Sequence, residues 1–152
     1  MLNKARKRLW TLRHTKKAGL KKEDLLKNFN STIRPALEYA APTYHSMLTK
    51  EMTDEIENIQ KRASKLIFGW DSNYSELVNA GKIELLSERR RKLTVNFAKK
   101  TQANERFKDW FPVKKDTGHN LRTEKKFEEF HARTERLKKS PLFYMRRELN
   151  AI

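Results

Sequence analysis

Five aspartates stand in the sequence, Asp24, Asp54, Asp71, Asp109 and Asp116, and none is adjacent to another. Two-metal phosphoryl chemistry needs carboxylates gathered around ions about 3.5–4 Å apart, and this scatter does not predict such a cluster. Glu128 and Glu129 are adjacent, but they lie in a charged, helical-looking run of the kind that forms a solvated face. His14, His45, His119 and His131 show neither i,i+4 pairing nor the ligand spacing of a zinc site. Ser31, Ser46 and Ser140 lack a Gly-x-Ser-x-Gly turn. The four glycines are too scattered for a phosphate loop, and without cysteine there is no thiolate nucleophile and no Cys-ligated metal. From these residues no catalysis, no metal and no cofactor are predicted.

Cations are where the sequence is unusual. It carries 35 Lys+Arg against 19 Asp+Glu, a net charge of +16 over 152 residues. Residues 1–22 hold nine basic and no acidic side chains, whereas residues 23–60 hold three basic and seven acidic ones. A second basic stretch follows at 86–108, with eight cations against two acids. A protein kept soluble by generic charge mixes its signs; two basic stretches around an acidic one form an electrostatic footprint for a polyanion. Phosphates are held by Lys and Arg that track a backbone without reading its sequence. The candidates for such contacts are Lys4, Arg6, Arg8, Arg13 and Lys17 at the N-terminus, Arg91 and Lys92 in the second basic stretch, and Arg136, Lys138 and Lys139 near the end. The competing reading is a solubilising face. It is weakest for the first group, because solvated helices ordinarily pair opposite charges at i,i+4, and strongest for the last, where Glu135 offsets the cations. Trp10 is either a base-stacking platform or a residue at the rim of the core.

The elements that would position these residues are helical. Leu2, Ala5, Leu9 and Leu12 form one amphipathic stripe, and Gly19 is placed to end that helix. A second helix begins near Lys22–Glu23 with Leu26, Phe29, Ile33 and Leu37 as its stripe. Pro35 predicts a kink or break near Arg34, and Pro42 closes the segment. Thr49 is the expected N-cap of a third helix, with Met52, Ile56, Ile59, Ala63 and Leu66–Ile67 inward and Gly69 at its end. A short helix within Asp71–Asn79 stops at Gly81. A fourth long helix runs from about Leu85 to Gln102 or Ala103 with Leu86, Leu93 and Phe97 on one side. Phe107, Trp110 and Phe111 form an aromatic plug that seals the bundle. The reading is all-α: four main helices in a small bundle over 1–112, a linker or exposed loop at 113–126, and a partly irregular basic-aromatic extension at 127–152. No apolar run approaches the roughly 18 residues of a membrane span, and no secretory signal is recognised; this points to the cytoplasm or nucleus rather than to secretion.

The stretch KARKRLWTLRHTKKAGLKKEDLLKNFNSTIRPALEYAAPTYHS, followed by LTKEMTDEIENIQKRASKLIFG, resembles the region downstream of the palm in non-LTR (LINE-type) retrotransposon reverse transcriptases. The likeness continues through LLSERRRKLTVNFAKKT, ERFKDWFP and RTERLKKSPLFYMRRELN, in one order from Lys4 to Asn150. It implies a helical thumb, which in such enzymes lays a helix along the template–primer duplex, followed by the C-terminal extension of jockey-like elements. Arg34, Pro35, Tyr39 and Pro42 match the central signature, and Arg62, Gly69, Arg89 and Arg90 match later positions. Tyr44 departs from it, standing where the family often has Trp, and residues 72–84 are shorter than the pattern. No stretch of these 152 residues resembles fingers, palm, a Tyr-x-Asp-Asp motif or an endonuclease. The resemblance therefore implies a non-catalytic binder of RNA–DNA hybrid or other duplex. The alternative is a helical module whose acidic middle and aromatic plug dock on a polymerase palm or another partner.

One structural expectation concerns the arginine run. Arg89 and Arg90 fall about 40° and 60° from Leu93 on a helix of 100° per residue, so at least one borders the buried stripe and needs a partner. Glu38, on the apolar-rich second helix, is the candidate. Arg89, Arg90 and Glu38 are assigned structural roles on this ground, and Arg34, Pro35 and Tyr39 on the resemblance.

Overall fold

The computed structural model describes residues 1–114, 126–128 and 131–152. Asp116, Gly118, His119, Glu129, Phe130 and most of the expected 113–126 linker lie outside the described residues. The fold is all-α. Its elements are α1 (Leu2–Lys17), α2 (Lys22–Asn28), a π-helical turn (Phe29–Ile33), α3 (Arg34–Glu38), α4 (Ala41–Tyr44) and a 3₁₀ turn (His45–Met47). There follow α5 (Lys50–Phe68), α6 (Tyr74–Asn79), α7 (Leu86–Gln102), a second 3₁₀ segment (Glu105–Trp110), α8 (Glu135–Lys138) and α9 (Pro141–Asn150). They pack as two compact units, residues 1–40 with 48–89 and residues 41–47 with 90–152.

In the first unit, Ala5 and Leu12 of α1 are fully buried with Leu2 and Leu9 beside them, and α1 packs on α5, α3 and the π-helical turn. The helix ends at Gly19, φ +89°, where Gly19 N–H donates to the Lys16 carbonyl and Leu20 N–H to the Thr15 carbonyl. This pair of bonds satisfies carbonyls that the last turn would leave open, and it needs the left-handed residue that glycine supplies. Pro35 has no N–H for the carbonyl four residues back. The chain widens into the π-helical turn just before it and restarts as α3 at Arg34. Leu25, in place of the expected Leu26, joins Phe29, Ile33 and Leu37 in one buried stripe through this break, and Leu26 is only half-buried. The expected second helix is thus a broken series, and the core gathers α1, that series, α5 and Leu86 rather than four continuous helices.

Helix α5 is the longest element among the described residues. Thr49 Oγ1 accepts from Met52 N–H at 3.2 Å and fixes its start. Ile56, Ile59, Ala63, Leu66 and Ile67 are buried, while Met52, in the first turn, is exposed rather than part of the stripe. Glu57 and Gln60 are buried beside this stripe. Glu57 accepts from the Tyr74 hydroxyl and, at 3.2 Å, from Leu86 N–H. A carboxylate so placed meets an open donor at the positive end of α7. Gln60 donates to Tyr74 Oη at 2.9 Å and to the Glu84 carbonyl at 2.8 Å. A polar strip therefore fixes α6 and the start of α7 against α5.

In the second unit, Ala98, Phe111, Phe127 and Met145 form the core, with Leu142 and Leu149 against them. Val113 and Phe127 make an antiparallel bridge, and Asn150 pairs with both Phe127 N–H (2.9 Å) and the Phe127 carbonyl (3.1 Å), acting as a side-chain strand partner. The buried row of α7 is Arg90, Thr94, Ala98 and Thr101. Leu93 is only half-buried and Phe97 is exposed, so the inward face differs from the Leu93–Phe97 side that apolar spacing selects. Small and polar side chains hold this face: Thr94 and Thr101 return their hydroxyls to the carbonyls of Arg90 and Phe97, each at 2.8 Å.

Several expectations are corrected by this packing. The aromatic plug divides: Phe111 is buried in the second unit, whereas Trp110 is exposed, with the half-buried Phe107 ring 4.8 Å from it. The partition at 112 does not coincide with the compact units, because α7 carries buried residues of both. Pro42 lies inside α4 instead of closing the preceding helix; the break is made by Ala40 at φ +55°. Tyr39, assigned a structural role, is 81% exposed and contributes nothing to the core.

Candidate nucleic-acid interface

Helix α1 owes its existence to good helix formers, Leu, Lys, Arg and Ala, and its orientation to Ala5 and Leu12. With those two inward, Arg6, Arg13 and Lys17 are all exposed. At 100° per residue they fall within about 40° of one another, and the row spans roughly 16 Å. Among the described residues none of the three makes an ion pair. No acidic residue occurs anywhere in α1.

Trp10 lies in the same outward sector and is 62% exposed. It does not line the core rim. Its ring packs on His14, with centroids 3.7 Å apart, and His14 Nδ1 is 2.9 Å from the Trp10 carbonyl. A pre-set aromatic surface thus stands next to the cation row. Lys7 and His14, not among the expected contacts, share this side of the helix and are exposed; the angular positions opposite Ala5 and Leu12 are the signal that identifies them.

The remaining expected contacts separate. Lys4 is exposed but lies on the other flank of α1. Arg8 is half-buried and its Nη1 donates to the Thr32 carbonyl in the π-helical turn, so it clamps α1 instead of facing solvent. In the second unit, Arg91 Nε donates to Glu148 at 2.8 Å, which holds its guanidinium above its ordinary pKa while the side chain stays 62% exposed. Lys92, Arg136 and Lys139 are exposed, and the Lys139 carbonyl accepts from Ser46 Oγ at 2.7 Å. Lys138 pairs with Glu135 at 2.6 Å, which pulls the Glu135 carboxyl below its ordinary range. Of the three expected groups, the one on α1 keeps a coherent row of cations without ion pairs among the described residues.

Two of the residues assigned structural roles, Arg89 and Arg34, meet at the Glu38 carboxylate. Arg89 donates to Glu38 from Nε at 2.6 Å and from Nη2 at 3.3 Å, and to Glu84 from Nη1 at 3.0 Å. Arg34 Nε approaches Glu38 Oε1 at 3.9 Å. Hydrogen bonding to Glu38 raises the Arg89 pKa, while burial and the nearby Arg89 charge lower that of Arg34. Arg90, the next residue, is fully buried in the second unit.

Pocket-forming residues that sequence spacing did not single out lie on α5 and the turn after it. Lys61, Arg62 and Lys65 line an open groove of about 690 Å³ with Trp70 and Asn73. Among the described residues no group of three His, Cys, Asp or Glu side chains is arranged to hold a metal ion. No helix of the described residues is long and apolar enough to cross a membrane.

These features define an all-helical protein whose first helix presents a cationic and aromatic face with no acid among its residues. The chain matches no protein-family model, no curated protein and no solved structure.

Proposed function

We propose that this protein is a non-catalytic, sequence-tolerant nucleic-acid-binding module, resembling a retrotransposon reverse-transcriptase thumb, that grips a duplex through the outward face of α1. The observation that carries this reading is the row Arg6–Arg13–Lys17 beside Trp10: three cations on one helical face, with no acid in the helix to neutralise them. A row of roughly 16 Å reaches several phosphates of one groove edge, since a single strand advances about 3.4 Å per phosphate. Backbone contacts of this kind fix register without specifying bases. Lys7 adds a further exposed cation on this side of the helix.

The test is a salt titration of the parent and the Arg6→Gln/Arg13→Gln/Lys17→Gln variant on one RNA–DNA hybrid. Gln keeps helix propensity, so thermal stability stays nearly unchanged. Affinity falls, and the slope of log K against log salt shrinks by about 0.9 for each phosphate no longer neutralised. Scrambling the duplex sequence changes parent binding by less than about tenfold, or 1.4 kcal/mol. Equal slopes for the parent and the triple variant would reduce α1 to a solvated face and end this reading.

A further inference from the structure

A second basic-aromatic site lies on the other long helix of the first unit. Lys61, Arg62 and Lys65 occupy positions i, i+1 and i+4 on α5 and are all exposed, on the side turned away from Ile56, Ile59 and Ala63. The chain then leaves the helix at Gly69, φ +113°, a conformation that an L side chain rarely adopts. Ser72 closes the turn that follows, its hydroxyl donating to the Gly69 carbonyl at 2.6 Å. Asn73 caps α6 by accepting from Ser75 N–H at 3.1 Å. Between the glycine and this closed turn stands Trp70, 68% exposed. Helix and turn line the open groove of about 690 Å³ together with Tyr74, and Lys61 Nζ lies 5.6 Å from the centre of the Tyr74 ring.

Three facts select the ligand. No carboxylate lines the groove, although Asp71 adjoins Trp70 in the sequence, so the surface is uniformly suited to an anion. An indole held in solvent by a glycine exit and a closed turn is a stacking platform, and stacking requires a free planar face. Lys61 to Lys65 spans about 6 Å of helix, close to the advance of two nucleotides in one strand. Bases in a duplex have their faces covered by their neighbours. We infer that this groove binds unpaired nucleic acid: a base stacks on Trp70, and the phosphates on either side of it lie along Lys61, Arg62 and Lys65. The site goes beyond the duplex grip of α1 and does not depend on it.

The experiment measures anisotropy of a labelled oligothymidylate of about eight nucleotides, within the site sizes of single-strand grooves, and separately of a labelled blunt duplex. Trp70→Ala weakens oligothymidylate binding by at least about fivefold, the low end of one base–aromatic stack. Its duplex affinity stays within about twofold of the parent. Trp70→Phe, which keeps an aromatic face, recovers most of the loss. Lys61→Gln/Arg62→Gln/Lys65→Gln lowers the salt slope on the single strand by about 0.7 for each phosphate no longer neutralised. All these positions are exposed, and unchanged thermal melts confirm that folding is preserved. Unaltered oligothymidylate affinity in Trp70→Ala would overturn the proposal. So would competition by thymidine monophosphate or by oligoglutamate as effective as by the unlabelled oligomer, since these would indicate a mononucleotide site or a generic anion surface. Should Arg6→Gln/Arg13→Gln/Lys17→Gln leave duplex binding intact while Trp70→Ala impairs the single strand, the α1 reading fails and this one stands.

Discussion

Arg89 and Glu38, fifty-one residues apart, meet through two parallel hydrogen bonds of 2.6 and 3.3 Å. The planar guanidinium matches the carboxylate with both prongs, a geometry that lysine cannot reproduce. Because Glu84 takes a third Arg89 donor at 3.0 Å, one side chain ties α3 to both the approach and the first turn of α7.

Removing it leaves a largely buried carboxylate short of its best donor. Arg89→Ala is expected to destabilise the fold by about 2–4 kcal/mol, between the value of a charged hydrogen bond and that of a broken buried pair. Arg89→Lys recovers only part of this. Urea unfolding measures both; a parent-like midpoint for Arg89→Ala would show that the pair is dispensable.

The Tyr74 hydroxyl gives a pH signature. Burial, and then its hydrogen bond to Glu57, raise its pKa above the ordinary phenol value. A proton held more tightly in the folded than in the unfolded state stabilises fully below the unfolded pKa, near 10. That stability is lost as pH rises through the folded value. The parent should therefore lose stability above about pH 10 more steeply than Tyr74→Phe. Thermal melts across that window, with phenolate absorbance followed in parallel, supply the comparison, and identical pH dependence would count against the buried hydroxyl.

Arg146 is buried and donates to the Trp110 carbonyl at 2.6 Å and the Glu128 carbonyl at 3.4 Å. Burial lowers its pKa. Arg146→Met keeps much of the volume but leaves those carbonyls without this donor, at a cost of about 1–3 kcal/mol for each buried group left open. The loss should appear in the denaturation midpoint and as increased solvent access to Trp110, measured by acrylamide quenching. Unchanged quenching would mean that the carbonyl bond does not hold that segment.

On a primed template with Mg²⁺ and deoxynucleotides, the purified protein is expected to extend no primer, in keeping with a binding role. Incorporation above background that follows the protein through stringent purification would refute the non-catalytic reading.

Helix ends are legible in the sequence because they depend on local chemistry: Gly19, Thr49 and Gly69 act within one turn of where they stand. The Glu38 partnership is legible because a half-buried arginine demands an anion and few acidic residues lie on an apolar-rich helix. The two-unit packing is not. Its inward row on α7, Arg90–Thr94–Ala98–Thr101, contains one apolar residue, so a search for apolar spacing passes to the neighbouring Leu93 and Phe97. Arg8 and Arg91 read as phosphate contacts because the π-helical carbonyl and the Glu148 carboxylate that hold them are distant in the chain. Trp70 escapes for a different reason. A signal exists, cations at Lys61 and Lys65 followed by an aromatic just beyond a helix-ending glycine, but the near-neutral charge of that stretch hides it.

The short segment 41–47 belongs to the second unit yet is spliced into the sequence between two stretches of the first. Neither unit is therefore an uninterrupted piece of polypeptide. During synthesis the first can gather its core once Leu86 has emerged from the ribosome, while residues 41–47 must wait for partners as late as Tyr144, whose hydroxyl meets His45. A truncation after residue 89 would leave those seven residues without the rest of their own unit. Boundaries for expression, and the order in which the nascent chain acquires protease resistance, follow from this interleaving rather than from any linker.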